Sequence, residues 1–383
     1  MRVKRDVMKK KTIAGLAGLA SLGFGSATFA QGAVDGHIAM QPANSALAEQ
    51  VHFFHNIILM PIITMISLLV LALLLWIVVR YNSKANPVAR KFSHNTLIEI
   101  IWTGVPILIL LAIALPSFEL LYAEDVIPDG KEVVIEGDGG TTEFAFANDF
   151  PESRRVTRNR QIQVLVSDAS GIKELERGRD YTLEGLGDAT VKVALASPPA
   201  AGSSLHIRGG RSVDTRGDVV LAPSLTIKAI GSQWQWSYAY PDFGDFEYVS
   251  SMLPEGQTTP ELYRWAVDNN VLVPVGETVR IVTTAKDVIH SWAMPAFAIK
   301  IDAVPGRLNE TWFRADREGV YYGQCSEICG VKHAFMPIAV EVVSRPAFEA
   351  WVDEQRALAG LDPMFGGDAV KYAQAPANAA ANQ

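Results

Sequence analysis

Apolar residues in this chain fall into three long runs near the N-terminus and, beyond them, into short alternating ones. The first run, Ile13 to Phe24, follows a basic cluster and leads to Thr28-Phe29-Ala30-Gln31. The second, Phe54 to Val79, and the third, Leu97 to Tyr122, are nearly uninterrupted. Each of these two is long enough to cross a bilayer as a helix, which takes about 20 apolar residues, whereas the first is too short. Past residue 125 the pattern changes to a period of two, as in Lys131-Glu-Val-Val-Ile-Glu136 and Gln161-Ile-Gln-Val-Leu-Val166. The same period returns in Leu225-Thr-Ile-Lys-Ala-Ile230, Val271-Leu-Val-Pro-Val275, Val279-Arg-Ile-Val-Thr283 and Ile338-Ala-Val-Glu-Val-Val343. Short strands punctuated by Gly, Pro and Asp predict a sandwich or barrel. A helical pattern covers Pro346 to Leu358, and the Ala- and Asn-rich close reads as disordered.

These changes of period divide the chain into a signal peptide (1–30) and an N-terminal segment with a two-helix hairpin (31–125; helices about 54–79 and 97–122). A β-rich insertion (126–222), an all-β domain (223–345) and a C-terminal helix with a disordered tail (346–383) follow. Between the two spans Arg80, Lys84, Arg90 and Lys91 stand without an acid, which places that loop in the cytoplasm and both termini outside. A leader that exports the N-terminus requires the same direction. Hydrophobic residues make up 49% of the chain but concentrate in those N-terminal runs. Removing residues 1–30 takes away six basic residues and one acid, moving the net charge from −7 to −12. An acidic exported surface suits a basic protein partner and excludes nucleic acid.

Both cysteines lie in Gly323-Gln-Cys-Ser-Glu-Ile-Cys-Gly-Val-Lys-His-Ala-Phe-Met336, and His290 lies upstream in Asp287-Val-Ile-His-Ser-Trp292. Two thiolates, two imidazoles and a thioether form a soft ligand set suited to copper, with one thiolate more than a mononuclear blue-copper site needs. Two bridging thiolates let a pair of copper ions take one His each. A structural zinc site and a plain disulfide remain the alternatives, the first leaving Met336 without a role and the second leaving both histidines without one. His206 stands alone in the insertion, where a strand histidine is a structural residue. Glu99 sits about one turn from the cytoplasmic end of its helix, at a depth where a carboxylate either meets water or protein or snorkels to the interface.

The chain resembles subunit II of cytochrome c oxidase, in a bacterial form with an insertion after the second membrane helix. The matching motifs are the copper-ligand loop and Asp287–Trp292 above, Gly231-Ser-Gln-Trp-Gln-Trp-Ser-Tyr-Ala-Tyr240, and Lys300-Ile-Asp-Ala-Val-Pro-Gly-Arg307. The resemblance covers residues 50–125 and 223–355. It implies a two-helix transmembrane hairpin bearing a cupredoxin-like Greek-key domain, in the bacterial inner membrane. It also implies a dinuclear CuA centre of two copper ions held by His290, Cys325, Cys329, His333, Met336 and the backbone carbonyl of Glu327. The Glu327 side chain would help bind magnesium shared with subunit I, with Asp302 near that ion. Trp234 would receive electrons from cytochrome c, and Glu99 would stand at the mouth of a proton channel. The implied partners are cytochrome c, subunits I and III, and the lipid bilayer. The implied activity is the acceptance of electrons for oxygen reduction coupled to proton pumping, the reduction itself taking place at haem in subunit I.

Asp242, Asp245 and Glu247 are expected to surround the Trp234 indole as a docking patch. The chain departs from the family pattern at Ser232, commonly His, at Gln235, commonly aromatic, and in the length of the insertion. A quinol oxidase subunit would lack the copper ligands present here. A membrane-anchored copper-delivery protein, the reading from another class, would have no use for Trp234 or Glu99.

Overall fold

The computed structural model describes residues 38–88 and 91–366. The expected leader, Arg90 of the basic loop and most of the expected C-terminal tail lie outside the described residues. The first span is helical from Ala46 to Arg80, as α1 (Ala46–Phe53), a π-helical stretch (Phe54–Leu59) and α2 (Met60–Arg80). It begins well before Phe54 because the Ser45 hydroxyl caps it, accepting from the Ala48 amide at 3.0 Å. The second span, α3 (Thr96–Asp125), is capped by Asn95 and runs one turn past Tyr122. That turn persists because the β domain grips it: Trp312 Nε1 donates to the Ala123 carbonyl at 3.1 Å and Thr311 Oγ1 to that of Glu124 at 3.3 Å. Neither span has any part of its apolar core window buried within the chain, so lipid or other chains must cover both. The protein is therefore a membrane protein with two spans.

The insertion forms seven strands: β1 (Lys131–Glu136), β2 (Glu143–Ala147), β3 (Ile162–Asp168), β4 (Gly171–Glu174), β5 (Tyr181–Glu184), β6 (Thr190–Leu195) and β7 (Ser204–Gly209). They pair as two antiparallel sheets, in the orders β1-β7-β3-β4 and β2-β6-β5. Their alternate side chains enclose a separate core that includes Phe146, Val164, Val191, Val193, Leu205 and Ile207. The chain enters and leaves this unit at one point. Gly130 bridges Leu221, the Ala222 amide donates to the Gly130 carbonyl at 2.8 Å, and a Cβ on Gly210 would lie 2.6 Å from the Gly130 Cα. Such an approach requires glycine.

The remaining strands are β8 (Leu225–Ser232), β9 (Gln235–Tyr240), β10 (Phe246–Ser250), β11 (Val271–Pro274), β12 (Thr278–Ala285), β13 (His290–Met294), β14 (Ile299–Ala303), β15 (Asn309–Arg314), β16 (Gly319–Gln324) and β17 (Pro337–Val343). A five-stranded sheet, β10-β9-β8-β12-β15, faces a three-stranded one, β11-β17-β16, and the hairpin β13-β14 completes the sandwich. Aromatic residues fill it: Phe297 stacks on Phe313 at 4.5 Å, and Trp292 Nε1 donates to the Tyr238 hydroxyl at 3.2 Å. Helix α4 (Arg345–Leu358) closes one end by setting Trp351 edge-on to Tyr240, with ring centroids 5.1 Å apart. The hairpin is tied to this core from both helices, since Leu47 of α1 belongs to it and Leu120 and Ala123 of α3 pack against it.

Candidate metal centre

The residues singled out as ligands meet where β13 adjoins the loop between β16 and β17, and two glycines make the meeting possible. A Cβ at Gly323 would fall 1.9 Å from the Ala293 carbonyl, so glycine lets β16 lie against β13. A Cβ at Gly231 would lie 2.8 Å from the His290 ring, so glycine on β8 leaves the imidazole its space. His290 is fully buried, and Cys325, Cys329 and Met336 are nearly so.

The two sulfurs are 3.8 Å apart and unbonded, far from the roughly 2.05 Å of a disulfide. Each faces a different imidazole: Cys325 Sγ is 3.8 Å from His290 Nδ1, and Cys329 Sγ is 3.5 Å from His333 Nδ1. The Glu327 carbonyl oxygen is 3.5 Å from Cys325 Sγ. The Cys325 amide donates to the Met336 carbonyl at 3.0 Å, which closes the loop on itself. Ligand atoms of His290, Cys325 and Cys329 all lie within 4.8 Å of one another, the one such group of three among the described residues, and His333 stands beside them against Cys329. Two buried thiols and the buried His290 imidazole, with His333 and the Met336 thioether on the loop that carries both cysteines, fit soft, thiolate-seeking ions.

Outside the ligands stands Asp287, which sequence reasoning passed over although it opens the His290 motif. Its carboxylate accepts from His290 Nε2 at 2.9 Å, from the Gln233 amide at 2.7 Å and from the Val288 amide at 2.7 Å. Burial alone would lift the Asp287 carboxyl, but these three donors hold it below the ordinary range. Burial would likewise depress His290, and the Cys325 sulfur and the Asp287 carboxylate outweigh that and raise it. Desolvation works against a Cys325 thiolate, yet His290 and the loop donors draw its pKa down. For Cys329, burial and the like charge on Cys325 act together and push it up. Ionising one sulfur thus opposes ionising the other, and the two titrate as a pair.

Trp234 is half-buried and donates Nε1–H to the Cys329 carbonyl at 3.2 Å, beside Gln233 Nε2, which reaches the same oxygen at 2.8 Å. The Lys332 ammonium lies 5.7 Å from its ring. The expected surround of Asp242, Asp245 and Glu247 is not there. Asp242 and Asp245 occupy the turn at the far end of β9, six extended residues or roughly 20 Å away. Glu247 pairs with Lys286 at 3.7 Å. The carboxylate next to Trp234 in the chain's hydrogen bonding is Asp287, through the Gln233 amide.

Asp302 is joined to this region through Ser291, its register partner, whose carbonyl accepts from the Ser326 amide of the metal loop at 3.0 Å. Lys300 Nζ is 3.2 Å from its carboxylate. The Glu327 side chain is exposed, and it joins Asp302 in no three-ligand group among the described residues. Glu99 lies far from the centre, in the first turn of α3, where its carboxylate accepts from the Asn95 amide at 3.2 Å. His206 is bound to Glu132 at 3.2 Å, a pairing within the insertion.

Two membrane spans, a cupredoxin-like sandwich and a buried thiol–imidazole cluster define a membrane-anchored metalloprotein. Two family models match the chain: cytochrome c oxidase subunit II, transmembrane domain, over residues 33–120, and the periplasmic domain of the same subunit over 225–343. The insertion falls between them. A probable cytochrome c oxidase subunit 2 of Rickettsia bellii is 35% identical over 337 residues, covering 88% of this chain and 90% of that one. The cytochrome c oxidase subunit 2 of Drosophila subobscura is 32% identical, covering 83% and 96%. A crystal structure of the periplasmic domain of subunit II of cytochrome oxidase of Bradyrhizobium japonicum is 52% identical over 36% of this chain and 98% of that one, with a TM-score of 0.34. The chain belongs to the cytochrome c oxidase subunit II family and is a component of a respiratory oxidoreductase complex.

Proposed function

We propose that this chain receives electrons from cytochrome c at a dinuclear copper centre and passes them to haem in subunit I. The observation that carries this reading is that the two unbonded sulfurs each face a different imidazole. His290, Cys325, Cys329, His333, Met336 and the Glu327 carbonyl would hold the two copper ions. Bound there, copper supplies a one-electron carrier in a rigid ligand set.

The protein's own groups prepare the rest. The Cys325–Met336 loop and β13 exclude water from the sulfurs, and Asp287 fixes the His290 ring so that Nδ1 faces the cluster. Trp234 gives the surface a direct contact with the Cys329 backbone, which suits it to receive electrons from a docked cytochrome c. Glu327 and Asp302 would complete a magnesium site with subunit I at the face below the loop. Glu99 would take up protons on the cytoplasmic side, the direction indicated by Arg80, Lys84 and Lys91 in the connecting loop, with both termini outside and subunit III beside the hairpin.

The test is metal analysis and electron paramagnetic resonance of the full chain purified in detergent with copper. Two copper ions per chain and a mixed-valence signal are expected, and Cys329→Ser should abolish that signal or leave a mononuclear one. One copper per chain in the unaltered protein, or a preference for zinc, would refute the reading.

A further inference from the structure

A cavity of about 610 Å³ opens where the hairpin, the copper domain and the insertion meet. Its wall includes Ser45 and Leu47 at the start of α1, Glu119 and Tyr122 on the last turns of α3, and Arg160 and Arg211 of the insertion. Arg314 and Asp214 also line it, but they neutralise each other at 2.6 Å. Arg160 and Arg211 are exposed, and among the described residues neither guanidinium has an acidic partner within ion-pair distance. The Glu119 carboxylate has no basic partner there either.

Three features of the wall favour a phosphate. Two free guanidinium groups offer paired donors to its oxygens. The Ser45 cap leaves the Ala46 and Leu47 amides at the start of α1 without an acceptor, and they sit at the positive end of a continuous 35-residue helix. Tyr122 marks the depth: an aromatic residue closing a membrane span lies at the headgroup level of the bilayer. At that level the abundant phosphate is a phosphodiester on lipid. Glu119, the unpaired carboxylate in the same wall, adds a partner for an ammonium group.

We infer that this cavity holds the headgroup of an aminophospholipid, its phosphodiester on Arg160 and Arg211 and its ammonium toward Glu119. Both arginines lie outside the segments that the family models match, so the site is a property of the insertion. Membrane attachment then has a second point besides the hairpin. The insertion would be seated on the bilayer by a bound lipid.

The test is to purify the assembled oxidase in mild detergent, wash it with detergent and count retained phosphatidylethanolamine by native mass spectrometry. The Arg160→Ala/Arg211→Ala double variant is expected to retain about one molecule fewer per chain, with copper content and assembly unchanged, and the double Lys variant to recover part of the loss. Equal retention in the unaltered and double-Ala proteins would overturn the proposal. So would displacement of the lipid by millimolar inorganic phosphate, which would make this a site for the free anion, or retention of phosphatidylglycerol in its place.

Discussion

The Asp287 carboxylate and His290 Nε2 are 2.9 Å apart, and this contact turns the other ring nitrogen, Nδ1, toward Cys325. The same carboxylate holds the Gln233 amide, one residue from Trp234. One side chain thus orients a proposed metal ligand and anchors the strand end that carries the proposed electron receiver. Removing it should loosen both. Asp287→Ala is expected to weaken copper retention by roughly 10- to 100-fold, as loss of a ligand's outer hydrogen bond does at other metal sites. Equilibrium dialysis against a graded copper chelator measures this, and an unchanged affinity would show that His290 is held by packing alone.

Trp234→Phe deletes the Nε1–H bond to the Cys329 carbonyl while Gln233 still occupies that oxygen. Stopped-flow reduction by cytochrome c should slow markedly, with copper content and donor affinity nearly preserved. Normal transfer would place the receiving residue elsewhere. Because the acidic residues once expected around this indole lie at the far end of β9, replacing Asp242 or Asp245 should alter the salt dependence less than replacing Asp287.

Glu99 has a structural job in the cap of α3, and any proton-uptake role must be separated from it. Glu99→Gln keeps an acceptor for the Asn95 amide and removes the titratable proton, whereas Glu99→Ala removes both. If Glu99 takes up protons, turnover of the assembled oxidase falls in both variants with the copper spectrum unchanged. Turnover retained in Gln and lost only in Ala would assign Glu99 to capping, an effect of about 1 kcal/mol on the helix.

The contact between Gly130 and Gly210 sets the limits for removing the insertion. Deleting residues 131–209 and joining the two glycines should preserve copper loading. Extending the deletion through residue 218 removes Asp214 and Asp218, which pair with the half-buried Arg314 of β15 at 2.6 and 3.8 Å. That longer deletion is expected to cost roughly 1–3 kcal/mol in thermal unfolding of the copper domain. Loss of copper from the shorter variant would make the insertion part of the core fold.

The loop that carries most of the proposed ligands was legible in the sequence because Cys325, Cys329, His333 and Met336 lie within one short segment, where spacing alone brings side chains together. His290 required its motif, and the structure supplies the reason it arrives: Gly231 and Gly323 are small enough to admit it. Asp287 was on view three residues away, but spacing does not say which imidazole nitrogen a carboxylate takes. Nearness along the chain misled in the case of Trp234 and Asp242, since an extended strand separates neighbours faster than any other element. The spans were legible from hydropathy and their limits were not, because Ser45 and Trp312 extend the helices through polar contacts that hydropathy does not weigh.

The bonds from Trp312 and Thr311 to the last turn of α3 join residues 189 and 187 positions apart in the chain. They act as a strut whose length is independent of how much polypeptide is threaded between its ends. The height of the sulfur cluster above the bilayer, and with it the gap an electron must cross to a neighbouring subunit, is therefore set by a contact and not by a linker. Extra chain inserted after α3 can grow, shrink or acquire new binding surfaces without retuning that gap.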